Sequence, residues 1–122
     1  MPSCYHAVMK AERFEELIFW QKSRKLAQLI YSGFGNNKDF DFRSQICRAV
    51  ISIPNNIAEG FERKSNKEFK QFLFIAKGSC GEIRSMLYNA LDLKYISENT
   101  FGECYYLCIE ISKLISGFIK AL

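Results

Sequence analysis

The chain has 122 residues, 48% hydrophobic and 25% charged, which is enough for one domain with its own core and too apolar for a disordered chain. Seventeen Lys and Arg against thirteen Asp and Glu leave a net charge of +4, which permits anionic partners without demanding them. No run approaches the roughly 20 apolar residues of a membrane span; an odd count of five cysteines, with no secretory leader at the N-terminus, points to reduced thiols in a cytoplasmic protein.

Residues 1–9 are expected to be a disordered extension, with Met9 as a second candidate start, and 10–122 one helical domain. The first helix is expected from about Phe14 to Ser32, because Phe19, Ser23, Leu26, Ala27, Ile30 and Phe34 recur at helical spacing; it is expected to stop at Gly33, with Gly35-Asn36-Asn37 as a loop. The second is expected from about Phe42 to Arg63, with Ile46, Val50, Ile53, Ile57 and Phe61 as its apolar stripe. Pro54 sits inside it, and the lost amide and the clash one turn back predict a kink there, with a break into two helices as the lesser alternative.

The third helix opens on Ser65-Asn66-Lys67-Glu68, the spacing of a capping box. Phe69, Phe72, Leu73, Ala76, Cys80, Ile83, Leu87 and Ala90 then hold one face to about Leu93, and Gly78 and Gly81 inside it predict a close helix approach. The fourth runs from about Glu98 to Leu122, with Ser97 or Thr100 as its cap. Four amphipathic segments on short joints predict an all-α fold, an antiparallel up-and-down four-helix bundle without strands.

Two faces exceed what one core needs. In the fourth helix Phe101, Cys104, Leu107, Cys108, Ile111, Leu114, Ile115, Phe118, Ile119 and Leu122 sweep about half the circumference at ~100° per residue. Such an arc fits a central helix in a snug monomer or, the favoured reading, a subunit interface, for which Phe74, Tyr88, Tyr105, Ile109 and Ile119 are the candidates. On the third helix Lys70, Phe74, Lys77, Gly81, Arg84 and Tyr88 form a basic row interleaved with aromatics. That row is either a charged flank or a grip for phosphates and bases.

Opposite the apolar stripe of the second helix, Gln45, Arg48, Ser52, Asn56, Glu59 and Arg63 make a polar stripe: a solvated face or a hydrogen-bonded partner surface. The run Gln45-Ile46-Cys47-Arg48-Ala49-Val50-Ile51-Ser52-Ile53-Pro54-Asn55-Asn56-Ile57-Ala58-Glu59-Gly60 resembles the signature of the four-helix-bundle proteins encoded in intervening sequences of bacterial 23S ribosomal RNA genes. Trp20-Gln21-Lys22, the Glu68-Phe69 to Phe72-Leu73 stretch with Ile75-Ala76-Lys77-Gly78-Ser79, and the Leu93 to Ile96 turn match in the same order. Cys47, where a second basic residue is common, and the lead-in Asp41-Phe42-Arg43-Ser44 depart from it.

The resemblance implies a bundle and a kinship with the accessory variability proteins of diversity-generating retroelements, which form pentameric rings and bind nucleic acid and a reverse transcriptase. It implies no catalytic residue. Catalysis and metal binding are not expected from the residues either. Cys104 and Cys108 lack enough partner ligands for zinc, and Gly78-Ser79-Cys80-Gly81 has neither the elbow spacing nor a histidine base. No cofactor is expected.

The expectation is therefore a cytoplasmic, homo-oligomeric, non-catalytic accessory protein that binds RNA or DNA. Arg48, Arg63, Lys67, Lys70, Lys77 and Arg84 are the candidate phosphate contacts, with Asn56 and Glu59 ordering the second-helix surface. The alternative is a protein–protein adaptor whose basic residues pair with acidic neighbours.

Overall fold

The computed structural model describes residues 11–122, so the expected N-terminal extension lies outside the described residues. A 3₁₀ turn at Phe14–Glu16 leads into four α-helices: α1 (Ile18–Phe34), α2 (Phe40–Phe61), α3 (Asn66–Asp92) and α4 (Glu98–Ala121). No strand occurs among the described residues.

Three of the four helices begin where a side chain satisfies a first free amide, while α1 follows the 3₁₀ turn with Leu17 at its cap position and no side-chain cap. Asp39 Oδ1 accepts from the Phe42 amide at 3.1 Å and opens α2. Ser65 Oγ accepts from the Glu68 amide at 3.2 Å, and Ser97 Oγ accepts from the Thr100 amide at 3.1 Å. The capping box of α3 is half of the expected one: Glu68 takes a bond from the Ser65 hydroxyl rather than from its amide. The helix α3 ends with Lys94 in the left-handed region at φ 62°. There Tyr95 N–H donates to the Ala90 carbonyl and Lys94 N–H to the Leu91 carbonyl, which is a Schellman ending without its usual glycine.

The predicted apolar stripes meet in one core. All six stripe residues of α1 are buried, including Ser23, whose hydroxyl donates to the Phe19 carbonyl at 2.6 Å. The helix α2 adds Ile46, Val50, Ile53 and Ile57, α3 adds Leu73, Ala76, Cys80, Ile83 and Leu87, and α4 adds Cys104, Cys108, Ile111 and Ile115, all fully buried. Burying one such large aliphatic side chain is worth about 1.5–3 kcal/mol, so a polar replacement at any of them outweighs any single surface bond.

The helices contact each other in a cycle: α1 packs on α2 and α4, and α3 packs on α2 and α4. Aromatic pairs mark the ends of the cycle. Phe61 meets Phe69 at the α2–α3 joint, Tyr88 meets Phe101 at the α3–α4 joint, and Phe118 near the end of α4 meets Phe19 near the start of α1. At the other side Phe42 packs edge-on against Tyr95, whose hydroxyl donates to Asp39 Oδ2 at 2.7 Å. That bond ties the α3–α4 turn to the start of α2.

Pro54 is buried inside α2, which remains one helix from Phe40 to Phe61 rather than breaking in two. Proline removes the amide that would bond the Val50 carbonyl. Two neighbouring side chains support that turn instead: Ser52 Oγ donates to the Ala49 carbonyl at 3.0 Å, and Asn56 Nδ2 to the Ser52 carbonyl at 2.7 Å.

The close helix approach is not where Gly78 and Gly81 place it. A methyl group on Gly78 would meet nothing within 4 Å, and one on Gly81 would meet only Arg84 Nη2 at 3.8 Å. The tight crossing is at Gly60 of α2, where a Cβ would lie 2.7 Å from Phe72 Cβ and 2.9 Å from Phe69 Cδ1. Gly78 and Gly81 lie on the rim of α3, facing open space and a groove.

Candidate nucleic-acid interface

Two grooves run along α3, one on each side. The first lies between α2 and α3, encloses about 610 Å³ and is lined by Asp41, Gln45, Arg48, Ala49, Ser52 and Glu82. It holds Gln45, Arg48 and Ser52 of the polar stripe of α2, each already hydrogen-bonded within the protein. Gln45 Nε2 donates to Glu82 Oε2 at 3.3 Å, Arg48 Nη2 donates to Ser44 Oγ at 3.0 Å, and the Ser52 and Ser79 hydroxyls hydrogen-bond across the seam. Just past the end of α2, Arg63 pairs with Glu59 at 3.0 Å and Glu68 at 3.9 Å and lies over the Phe72 ring. Asn56 is turned to its own helix.

The second groove lies between α3 and α4, encloses about 480 Å³ and is lined by Lys77, Arg84, Ile109, Ser112, Lys113, Ser116, Gly117 and Lys120. Four of its eight lining residues are cationic and none is acidic. The ion pairs among the described residues join Arg13 to Glu16, Lys22 to Glu110, and Arg63 to Glu59 and Glu68, so no groove cation is paired with a described carboxylate. The Arg84 Nε is buried with no acceptor. Leaving such a donor unsatisfied costs about 1–3 kcal/mol, so a shift of the Arg84 side chain that brings Nε to an acceptor is favoured. Size favours the first groove; unspent hydrogen-bonding capacity and charge favour the second.

Helical periodicity builds this site. Lys77 and Arg84 are seven residues apart on α3, and Lys113, Ser116 and Lys120 step by three and four on α4, so each helix turns one edge toward the shared groove. One turn past Arg84 stands Tyr88, in ring contact with Phe101 and Tyr105 at centroid distances of 5.1 and 5.5 Å. Phe101 stacks on Tyr105, and Tyr106 meets Tyr105 edge-on. Tyr88 is 51% exposed and Tyr106 72%. Contact with Tyr105, then desolvation, holds the Tyr88 hydroxyl above the ordinary tyrosine range. Glu98, Asn99, Gly102 and Glu103 border Tyr106 and give this end an acidic margin.

The structure thus brings together Lys77 and Arg84 of the expected basic row with Ile109, and sets Tyr88 and Tyr105 at the groove's end. Lys70 and Lys67 lie nearer the start of α3 and line neither groove, Arg48 belongs to the other groove, and Arg63 stands in its own ion-pair cluster at the α2–α3 joint. Of the remaining candidate interface residues, Phe74 is 56% exposed, and Ile119 is half-buried against the core. Ser112, Lys113, Ser116 and Lys120 escape a reading of α3 alone. The signal of the two lysines is in the sequence all the same, since Lys113, Gly117 and Lys120 form, with Glu103 and Glu110, the narrow polar sector of a largely apolar helix.

The buried thiols among the described residues are poor nucleophiles. Burial pushes Cys80 up to about 12 and Cys104 up to about 11, and it raises Cys108 further, with Cys80 and Cys104 adding to the effect. Among the described residues no cluster of His, Cys, Asp and Glu is placed to hold a metal, and no helix is long and apolar enough to cross a membrane.

Comparison with known proteins agrees with the helical pattern. A protein of unknown function from the S23 ribosomal protein family of Bacteroides thetaiotaomicron VPI-5482, solved at 1.70 Å, is 28% identical, with a TM-score of 0.79 over 84% of this chain and 99% of that one. No curated protein matches. Residues 15–117 match the family of the 23S rRNA-intervening sequence protein, a span from the 3₁₀ turn to the last turns of α4, and the chain belongs to that family.

Proposed function

We propose that this protein is a non-catalytic accessory protein that binds nucleic acid through the α3–α4 groove and works as a homo-oligomer in the cytoplasm. The observation that carries the reading is the set of four cations without a described carboxylate partner, with Arg84 Nε buried and lacking an acceptor. A polyphosphate backbone supplies both the charge and the acceptors. Lys113 and Lys120 join the candidate phosphate contacts; Arg63, Lys67 and Lys70 become peripheral ones, and Arg48, which lies in the other groove bonded to Ser44, leaves the set.

The bundle beneath this surface is read as antiparallel and up-and-down, with a bend at Pro54. The aromatic pairs at successive joints and the missing Pro54 amide support that course. Self-association is supported by Phe74 and Ile75, adjacent on α3 and each more than half exposed. A pentamer and a reverse transcriptase partner follow only from the resemblance to retroelement accessory proteins. The absence of catalysis is supported by the raised thiols and by Ser79, whose hydroxyl faces Ser52 rather than a base.

Two measurements on the wild-type chain test this. Fluorescence anisotropy with labelled RNA and duplex DNA is expected to give binding that falls steeply between low and near-physiological salt. Mass measured in solution by light scattering is expected to exceed one chain. No binding at low salt would leave an adaptor for an acidic protein, and a strict monomer would remove the oligomer.

A further inference from the structure

We infer that the α3–α4 groove takes a single nucleic-acid strand, with phosphates at its lysine and arginine end and unpaired bases on the tyrosines at its other end. The inference rests on the reading of the groove as a nucleic-acid surface and adds the kind of strand.

The argument begins with the order of groups along the groove. Lys120, Lys113 and Lys77 lie toward one end, Arg84 and Ile109 follow, and Tyr88, Tyr105 and Tyr106 come next. Arg84 to Tyr88 and Ile109 to Tyr105 are each four residues, about 6 Å along a helix. A cation and an aromatic platform are thus one helical turn apart on the α3 wall, a stride that an extended nucleotide can span between its phosphate and its base; on the α4 wall Ile109 separates Tyr105 from Lys113, two turns away.

The aromatic end selects against a duplex. Paired bases keep their faces inside the stack, where a tyrosine on a helix cannot reach them; a single strand presents those faces freely. Phe101 and Tyr105 cover each other, stacked at 5.3 Å with planes 20° apart, so they brace the platform. Tyr88 and Tyr106 are the exposed members, 51% and 72% accessible. Solvent exposure of two tyrosines beside a bare cationic groove has no counterpart in the α2–α3 groove.

Charge also limits the length of the site. Glu98 and Glu103 border Tyr106 and repel a phosphate backbone continuing past it. The phosphates are therefore confined to the lysine end and the last base to the tyrosine end, a footprint of a few nucleotides per chain. Sequence preference is expected to be weak, because every base has a face to stack.

The test compares a fluorescein-labelled 12-nucleotide RNA of mixed sequence with the same RNA annealed to its complement, by anisotropy at one low salt concentration. The wild type is expected to bind the single strand at least tenfold more tightly. The Tyr88→Leu, Tyr106→Leu double variant is expected to lose about fivefold or more on the single strand and to bind the duplex unchanged. Tyr88→Phe with Tyr106→Phe keeps the rings and is expected to restore binding, which separates stacking from any effect on folding. Equal affinity for the two RNAs, or a leucine variant that binds like the wild type, overturns the single-strand inference while leaving the basic groove standing. Binding of neither RNA by the wild type overturns both.

Discussion

The two grooves flanking α3 are both lined largely by polar side chains and end in opposite states. On the α2 side, Gln45 is bonded to Glu82, Arg48 to Ser44 and Ser52 to Ser79. On the α4 side, Lys77, Arg84, Lys113 and Lys120 face each other without a described carboxylate partner. The Gln45–Glu82 and Ser52–Ser79 bonds fasten two helices and Ser44 holds Arg48 along its own helix; a cation left without a partner is available to a ligand. The first groove is a seam and the second is a site. A stripe on a helical wheel looks the same in both cases.

That contrast is most strongly tested at the seam's tightest point. Gly60→Ala is expected to destabilise the protein by about 1–3 kcal/mol, because the added methyl would lie 2.7 Å from Phe72 Cβ and the helices must part. Urea unfolding measures it, and a variant as stable as the wild type would mean that the α2–α3 seam has slack. Next is the serine pair. A double-mutant cycle of Ser52→Ala and Ser79→Ala is expected to show a coupling of about 0.5–1.5 kcal/mol, the net worth of one hydrogen bond. Additive losses would make the stripe a solvated face after all.

On the rim of α3 the sign reverses. Gly78→Ala is expected to stabilise by about 0.5–1 kcal/mol, since its methyl meets nothing within 4 Å and alanine is the better helix former. A loss of stability would mean that something covers Gly78 in solution, and a partner subunit is the first candidate.

The smallest effect concerns the clasp between Asp39 and Tyr95. The Tyr95 hydroxyl and then the Phe42 amide hold the Asp39 carboxyl below its ordinary 3.8. A depressed acid contributes stability above its unfolded value and loses it as pH falls through the folded one. Stability is therefore expected to drop as pH falls below about 3.8, and Tyr95→Phe is expected to shallow that drop. Thermal melts of the two proteins between pH 2 and 6 measure it. The group is solvent-exposed, so the difference is small.

Periodicity alone made the four helices, the stripes Phe19 to Phe34 and Ile46 to Ile57, and the Ser65 and Ser97 caps legible, because each depends on residues within a few positions of one another. Gly60 was not legible. Its neighbours Phe69 and Phe72 belong to the next helix, and nothing local separates a glycine under an aromatic ring from Gly78 in the open. Half of the candidate site could be read from the α3 row, Lys77 and Arg84. Lys113 and Lys120 joined it only when α4 was laid beside that row. The α2 stripe was legible as polar, but its internal bonding to Ser79 and Glu82 was not, since those residues lie 27 and 37 positions away.

The measurement that bears most directly on the difference between seam and site is the salt dependence of single-stranded RNA binding in three proteins. They are the wild type, Lys77→Gln with Arg84→Gln and Lys113→Gln, and Arg48→Gln. Each lost phosphate contact lowers the slope of log K against log salt by about 0.7 for a single strand, so the triple variant is expected to lose about two units and most of its affinity. Arg48→Gln is expected to match the wild type. A triple variant that keeps the wild-type slope, or an Arg48 variant that loses it, would contradict the assignment of binding to the α3–α4 groove.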